Sequence, residues 1–119
     1  MSYQMVSEWG KIHISNEVIS VIAGSSALEC YGLVGMASRK QLKDGIAELL
    51  GKENLSRGVD VRLVQNEVHI DLYIIVSYGT RISEVALNVQ NRVKYVLNEI
   101  IGLNVRHIHI IVQGVRVML

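Results

Sequence analysis

The chain is 119 residues long, the length of one domain, since single cores usually span about 100–200 residues. Half of its residues are apolar and 19% are charged, which excludes wholesale disorder. Twelve basic against eleven acidic residues leave a formal charge of +1, so no broad electrostatic footprint marks it for nucleic acid or anionic lipid.

A chain of this size buries about two thirds of the surface it exposes when unfolded, so it needs neither disulfide nor metal to fold. With no proline and no phenylalanine, its core must be built from Val, Ile and Leu. Cys30 is the only cysteine; it cannot form an internal disulfide, which argues for a reducing compartment. The opening Met1-Ser2-Tyr3-Gln4-Met5-Val6-Ser7-Glu8 lacks the basic start and apolar stretch of a signal peptide. The greasiest run, Leu72 to Val76, falls far short of the ~20 residues that span a bilayer. These features predict a soluble, cytoplasmic protein with no direct membrane insertion.

Lys11-Ile12-His13-Ile14 alternates polar and apolar, the mark of a half-buried strand. Ser15 or Asn16 can cap the helix that follows, with Glu17 well placed in its first turn. That helix gathers Ile19, Ile22, Ala23 and Ser26 on one face and fades near Glu29. Cys30 to Ala37 reads as a turn or short irregular strand. Lys40 to Leu50 has helical spacing, weakened by Gly45, and Gly51 can end it in the left-handed conformation. Residues 51–58 then form a loop.

Val59-Asp60-Val61-Arg62-Leu63 and Val68 to Ile74 both alternate, with Gln65 and Asn66 between them, which predicts a hairpin. Gly79 breaks the second strand and Thr80 can cap the next helix. Ile82, Val85, Ala86, Val89, Val93, Val96, Leu97 and Ile100 step by threes and fours, a long amphipathic stripe. Gly102 closes it, and Val105 to Val112 is the last strand, parallel to the second hairpin strand through a right-handed crossover.

The expected fold is therefore α+β in two layers: a mixed sheet with helices on one face, in the order β-α-(short β)-α-β-β-α-β. The whole chain, 1–119, is one domain with its core at about 9–117. The helix-covered face takes Ile12, Ile14, Val61, Leu63, Ile70, Leu72, Ile74, Ile108, Ile110 and Val112. Strand alternation sends Lys11, His13, Asp60, Arg62, His69, Asp71, Tyr73, His107 and His109 to the other face. His107, His109 and Asp71 are candidate metal ligands there, since two histidines two apart on a strand point the same way. The bland reading, a solvated or partner-covered polar face, is favoured over a metal. Tyr73, Ile75, Val105 and Ile111 share the open face and form an expected interaction surface.

Other constellations carry less. Gly32-Leu33-Val34-Gly35 matches the Gly-x-x-Gly of KH domains, but its middle residues are apolar where a phosphate clamp favours basic ones. Close backbone packing explains it better, and the sequence argues against nucleic acid as a partner. No nucleotide-phosphate loop or nucleophile elbow is present, Cys30 reads as a small buried hydrophobe, and Glu84 and Glu99 stand too far apart to work as an acid/base pair. No catalytic or cofactor-binding residue is assigned.

Several segments together resemble the alkaline shock protein family, envelope stress response proteins of Gram-positive bacteria. Gly10-Lys11-Ile12-His13-Ile14 with Val18 and Ile22-Ala23 resembles the family's opening, and Gly32-Leu33-Val34-Gly35-Met36 its Gly-Val-x-Gly-Met segment. Ile70-Asp71-Leu72-Tyr73-Ile74-Ile75-Val76-Ser77-Tyr78-Gly79, followed by Val89-Gln90 and Val93-Lys94, resembles its second block, and Val112-Gln113-Gly114-Val115 its close. The likeness covers residues 9–117 and is nearest to short housekeeping members found beside a dihydroxyacetone-kinase-like or fatty-acid-kinase-like gene. Arg106-His107-Ile108-His109 departs from the family's usual Val-Asn-Ile, and the end at Leu119 lacks the charged tail of longer members.

The resemblance implies a cytosolic, non-enzymatic protein of cell-envelope homeostasis. It further implies self-association, and recruitment near the membrane by a separate anchor protein. A self-associating scaffold or adaptor is the expectation; a regulatory partner of a kinase-like enzyme is the alternative.

Overall fold

A computed structural model describes residues 2–38 and 49–117. Two strands come first, β1 (Ser2–Ser7) and β2 (Gly10–Ser15), paired antiparallel as a hairpin of their own. In its register Tyr3 faces Ile14 and Met5 faces Ile12, so one side of the ribbon is apolar. Gly10 completes the connection at φ +139°, a backbone region that side chains with a Cβ rarely adopt.

Ser15 caps α1 (Asn16–Ala27), its hydroxyl accepting the Val18 N–H at 3.2 Å. A short strand β3 (Leu33–Met36) follows, where the sequence predicts a turn or irregular strand. The Gln65-Asn66 hairpin is present: both residues have positive φ, +52° and +60°, the turn that suits the twist of the flanking strands. It joins β4 (Val59–Val64) to β5 (Glu67–Ser77). Then α2 (Ile82–Tyr95) continues through a π-helical turn, Val96–Ile101, to Gly102 at φ +88°. The last strand, β6 (Val105–Arg116), runs parallel to β5 as expected.

β5 is the axis of the main sheet. β6 lies along one side of it, and β4 and β3 pair with successive stretches of the other. Ile19, Ala23 and Ala27 of α1, Val85, Val89 and Val93 of α2, and Leu97 of the π-helical turn form one core with Val68, Ile70, Leu72 and Ile74. Both helices therefore cover the same sheet face, and the α+β two-layer expectation holds. Each fully buried aliphatic side chain here contributes about 1.5–3 kcal/mol.

The structure corrects several local expectations. Ile12 and His13 belong to the hairpin and not to the main sheet, and Ile12 is 47% exposed. Residues 51–58 are not plain loop: Lys52–Gly58 forms a 3₁₀ segment, and Gly51 before it is extended at φ −76°, not left-handed. Thr80 does not cap α2; its hydroxyl donates back to the Ser77 carbonyl at 2.6 Å, and Arg81 takes the cap position. The helix expected at 40–50 lies, up to residue 48, outside the described residues. Leu49 itself makes an antiparallel bridge with Ala37.

The hairpin is an arm tied at its root. The Tyr3 hydroxyl accepts the Asn104 N–H at 3.1 Å, and the Asn66 side chain bonds both N–H and C=O of Gln4. An isolated two-stranded ribbon is marginal in water, so these bonds and the burial of Tyr3 hold the arm in place. The molecule measures 54 × 28 × 22 Å.

Candidate interaction surface

β4, β5 and β6 display the polar face of the main sheet. His69 stands opposite His107, and Asp71 opposite His109. Ring centres of His69 and His107 are 5.1 Å apart, and His107 stacks on His109 at 5.9 Å. From β4, Arg62 reaches the Asp71 carboxylate at 3.2 Å and lies 3.9 Å from Asp60. Three of the four histidines thus share this face, as alternation requires. His13 and Lys11 do not, because the hairpin carries them elsewhere.

The metal candidates His107, His109 and Asp71 are neighbours, but Arg62 occupies the Asp71 carboxylate. Among the described residues no three His, Cys, Asp or Glu side chains gather as a metal set.

Of the four expected interaction residues, Tyr73 and Ile111 are cross-strand partners and half-buried. Ile75 is fully buried beside Ala37, with Val34 and Tyr73 packed around it. Val105 is buried as well and pairs with Val68 in the helix-covered core. The cause is a β-bulge: the register slips between Val68/Val105 and His69/His107, leaving Arg106 as an extra residue. One inserted residue reverses the alternation, so Val105 points opposite to His107.

Among the described residues the most exposed large apolar side chain, Trp9, lies on the arm instead. The inner side of the arm begins in the core with Tyr3, Met5 and Ile14, then continues outward to Ile12. Trp9, in the turn at the far end, is 95% exposed, and Val6 on the opposite side is 77% exposed. A sequence signal existed in the alternation of Ser2 to Ser7, which sequence reasoning passed over.

The remaining motifs are structural. Gly32 has φ +87°, and a Cβ there would meet Val85 Cγ2 at 2.7 Å; one on Gly35 would meet Leu49 Cδ1 at 2.6 Å. The Gly-x-x-Gly segment is thus a packed strand edge. Burial pushes the half-buried Cys30 thiol above its ordinary range; nearby Arg92 opposes the rise and Glu29 adds to it. Among the described residues no helix is long and apolar enough to cross a membrane.

Fold and surface together define a two-layer α+β domain whose mixed sheet carries both helices on one face. Residues 4–117 match the model of the alkaline shock protein 23 family, described as having a cell envelope-related function, and the chain belongs to that family. It is 60% identical over 117 residues to the uncharacterized protein YloU of Bacillus subtilis strain 168, covering 98% of each chain. To the uncharacterized Streptococcus pyogenes serotype M6 protein Spy1614 it is 39% identical, covering 99% of this chain and 98% of that one. Among solved structures, the copper form of MamM CTD shares the fold with a TM-score of 0.55 at 13% identity, covering 87% of this chain and 86% of that one.

Proposed function

We propose that this protein is a non-enzymatic scaffold or adaptor of the cell envelope that works by self-association, two copies meeting through their β1–β2 arms. One observation carries the reading: an apolar stripe leaves the core along the arm and ends on a tryptophan that is 95% exposed. A contiguous run of exposed apolar groups, more than a single one, is the mark of an interaction surface. A cytoplasmic location, brought near the membrane by a partner, accords with the family's envelope-related function.

Magnitude sets the kind of assembly. Two tryptophans bury about 300–500 Å² between them, against the ~1,200 Å² or more of a stable dimer. The arms alone therefore support a concentration-dependent association, strengthened where Tyr73 and Ile111 join the contact.

Light scattering over a concentration series tests this. The unaltered protein should grow in mass with concentration, while Trp9→Ser and Ile12→Lys should stay monomeric with an unchanged thermal transition. A wild-type protein that remains monomeric at high concentration overturns the reading. Dispersal by Tyr73→Lys, with both arm variants still assembling, moves the interface from the arm to the sheet face.

A further inference from the structure

We propose that the groove between α2 and the outer edge of β6 is a binding site for a phosphate-type anion. The groove has a volume of about 330 Å³, within the size range of small-ligand sites. Val105 and Ile108, both 7% exposed, form its floor. Lys94 and Asn91 wall it from the helix; Arg106, His107 and His109 wall it from the strand. The Gln90 amide donates to the Ile108 carbonyl at 2.7 Å and pins one wall to the other.

Two features separate this groove from an ordinary charged surface. No acidic residue lines it. Elsewhere Arg62 is matched by Asp60 and Asp71, Arg81 by Glu84 and Arg92 by Glu29. Lys94 and Arg106, like the isolated Lys11 on the arm, have no carboxylate within salt-bridge distance among the described residues, but these two line one groove. Five successive residues, Val105 to His109, line it from the strand, because the groove follows the free edge of β6, where side chains of both sheet faces meet.

The donor set selects the ligand. A guanidinium fork, an ammonium and two imidazoles offer more N–H groups than the two oxygens of a carboxylate accept. A phosphate presents three or four oxygens, and Arg and Lys are its usual partners. Either a free phosphate compound or a phospholipid headgroup supplies that chemistry.

The experiment uses the full chain. Amide spectra are titrated with inorganic phosphate and with glycerol 3-phosphate, and sedimentation is measured with phosphatidylglycerol against phosphatidylcholine vesicles. Residues 90–94 and 105–109 should shift together and saturate. Lys94→Ala combined with Arg106→Ala should weaken binding about tenfold, the scale of two solvent-exposed charge pairs. Lys11→Ala, an exposed cation on the arm, should leave it unchanged. Saturation by the soluble compounds identifies a free phosphate ligand; binding to phosphatidylglycerol vesicles alone identifies a headgroup. No binding in either arm, undiminished binding by the double variant, or an equal loss in Lys11→Ala overturns the proposal.

Discussion

Burial keeps the Cys30 thiol protonated to higher pH than an unhindered thiol, with Arg92 partly offsetting the effect. Alkylation needs the thiolate, so at pH 8 the folded protein should react more slowly than the urea-unfolded chain. Arg92→Ala should be slower still, because it removes the opposing positive charge. Alkylation rates measured against pH check this; equal rates for folded and unfolded chain contradict it. Gly32→Ala should destabilise by about 1–2 kcal/mol from its left-handed backbone alone, with the Val85 contact adding to that. Urea denaturation reads the sum. Ile75→Lys should abolish the cooperative thermal transition, because it places an unpaired charge in a fully buried site. Tyr73→Lys, at its half-buried neighbour, should fold.

At the level of elements, Asn66 has two separable tasks. It holds a positive φ in the β4–β5 turn, and its side chain ties down Gln4 at the root of the arm. Asn66→Gly keeps the first and loses the second. Its global unfolding free energy should stay within about 1 kcal/mol of wild type, while amide exchange across β1 and β2 accelerates. Exchange unchanged in the arm would show that the side-chain ties do not hold it. Much of this architecture was legible in the sequence. The Gln65-Asn66 pair between two alternating runs and the stripe from Ile82 to Ile100 announce their elements through local chemistry. The arm was legible only in the alternation of Ser2 to Ser7, because Ile12 and Ile14 alternate as they would in a core strand, and Glu8-Trp9-Gly10 lacks a familiar turn pair. Periodicity reports which residues share a face but not which sheet owns the face. The open face was legible in part for the same reason: His69, His107 and His109 followed the alternation, whereas the bulge at Arg106 has no local signature and reversed Val105.

For the molecule as a whole, the domain and the arm have different demands. Among the described residues the main core lies between two helices and one sheet face, with a smaller cluster around Ile75 and Ala37. The arm carries the same apolar stripe past the end of that core and leaves Trp9 in solvent. The proposed self-association uses this arm, which extends beyond the core of an envelope-related family fold. Because Trp9 is the only tryptophan in the chain, its fluorescence reports on the arm alone. The most direct measurement is therefore acrylamide quenching of Trp9 over a concentration series, with light scattering on the same samples. Self-association through the arms predicts easy quenching in dilute protein, then protection and a blue-shifted emission as the mass rises. Trp9 remaining fully quenchable while the mass rises would contradict it.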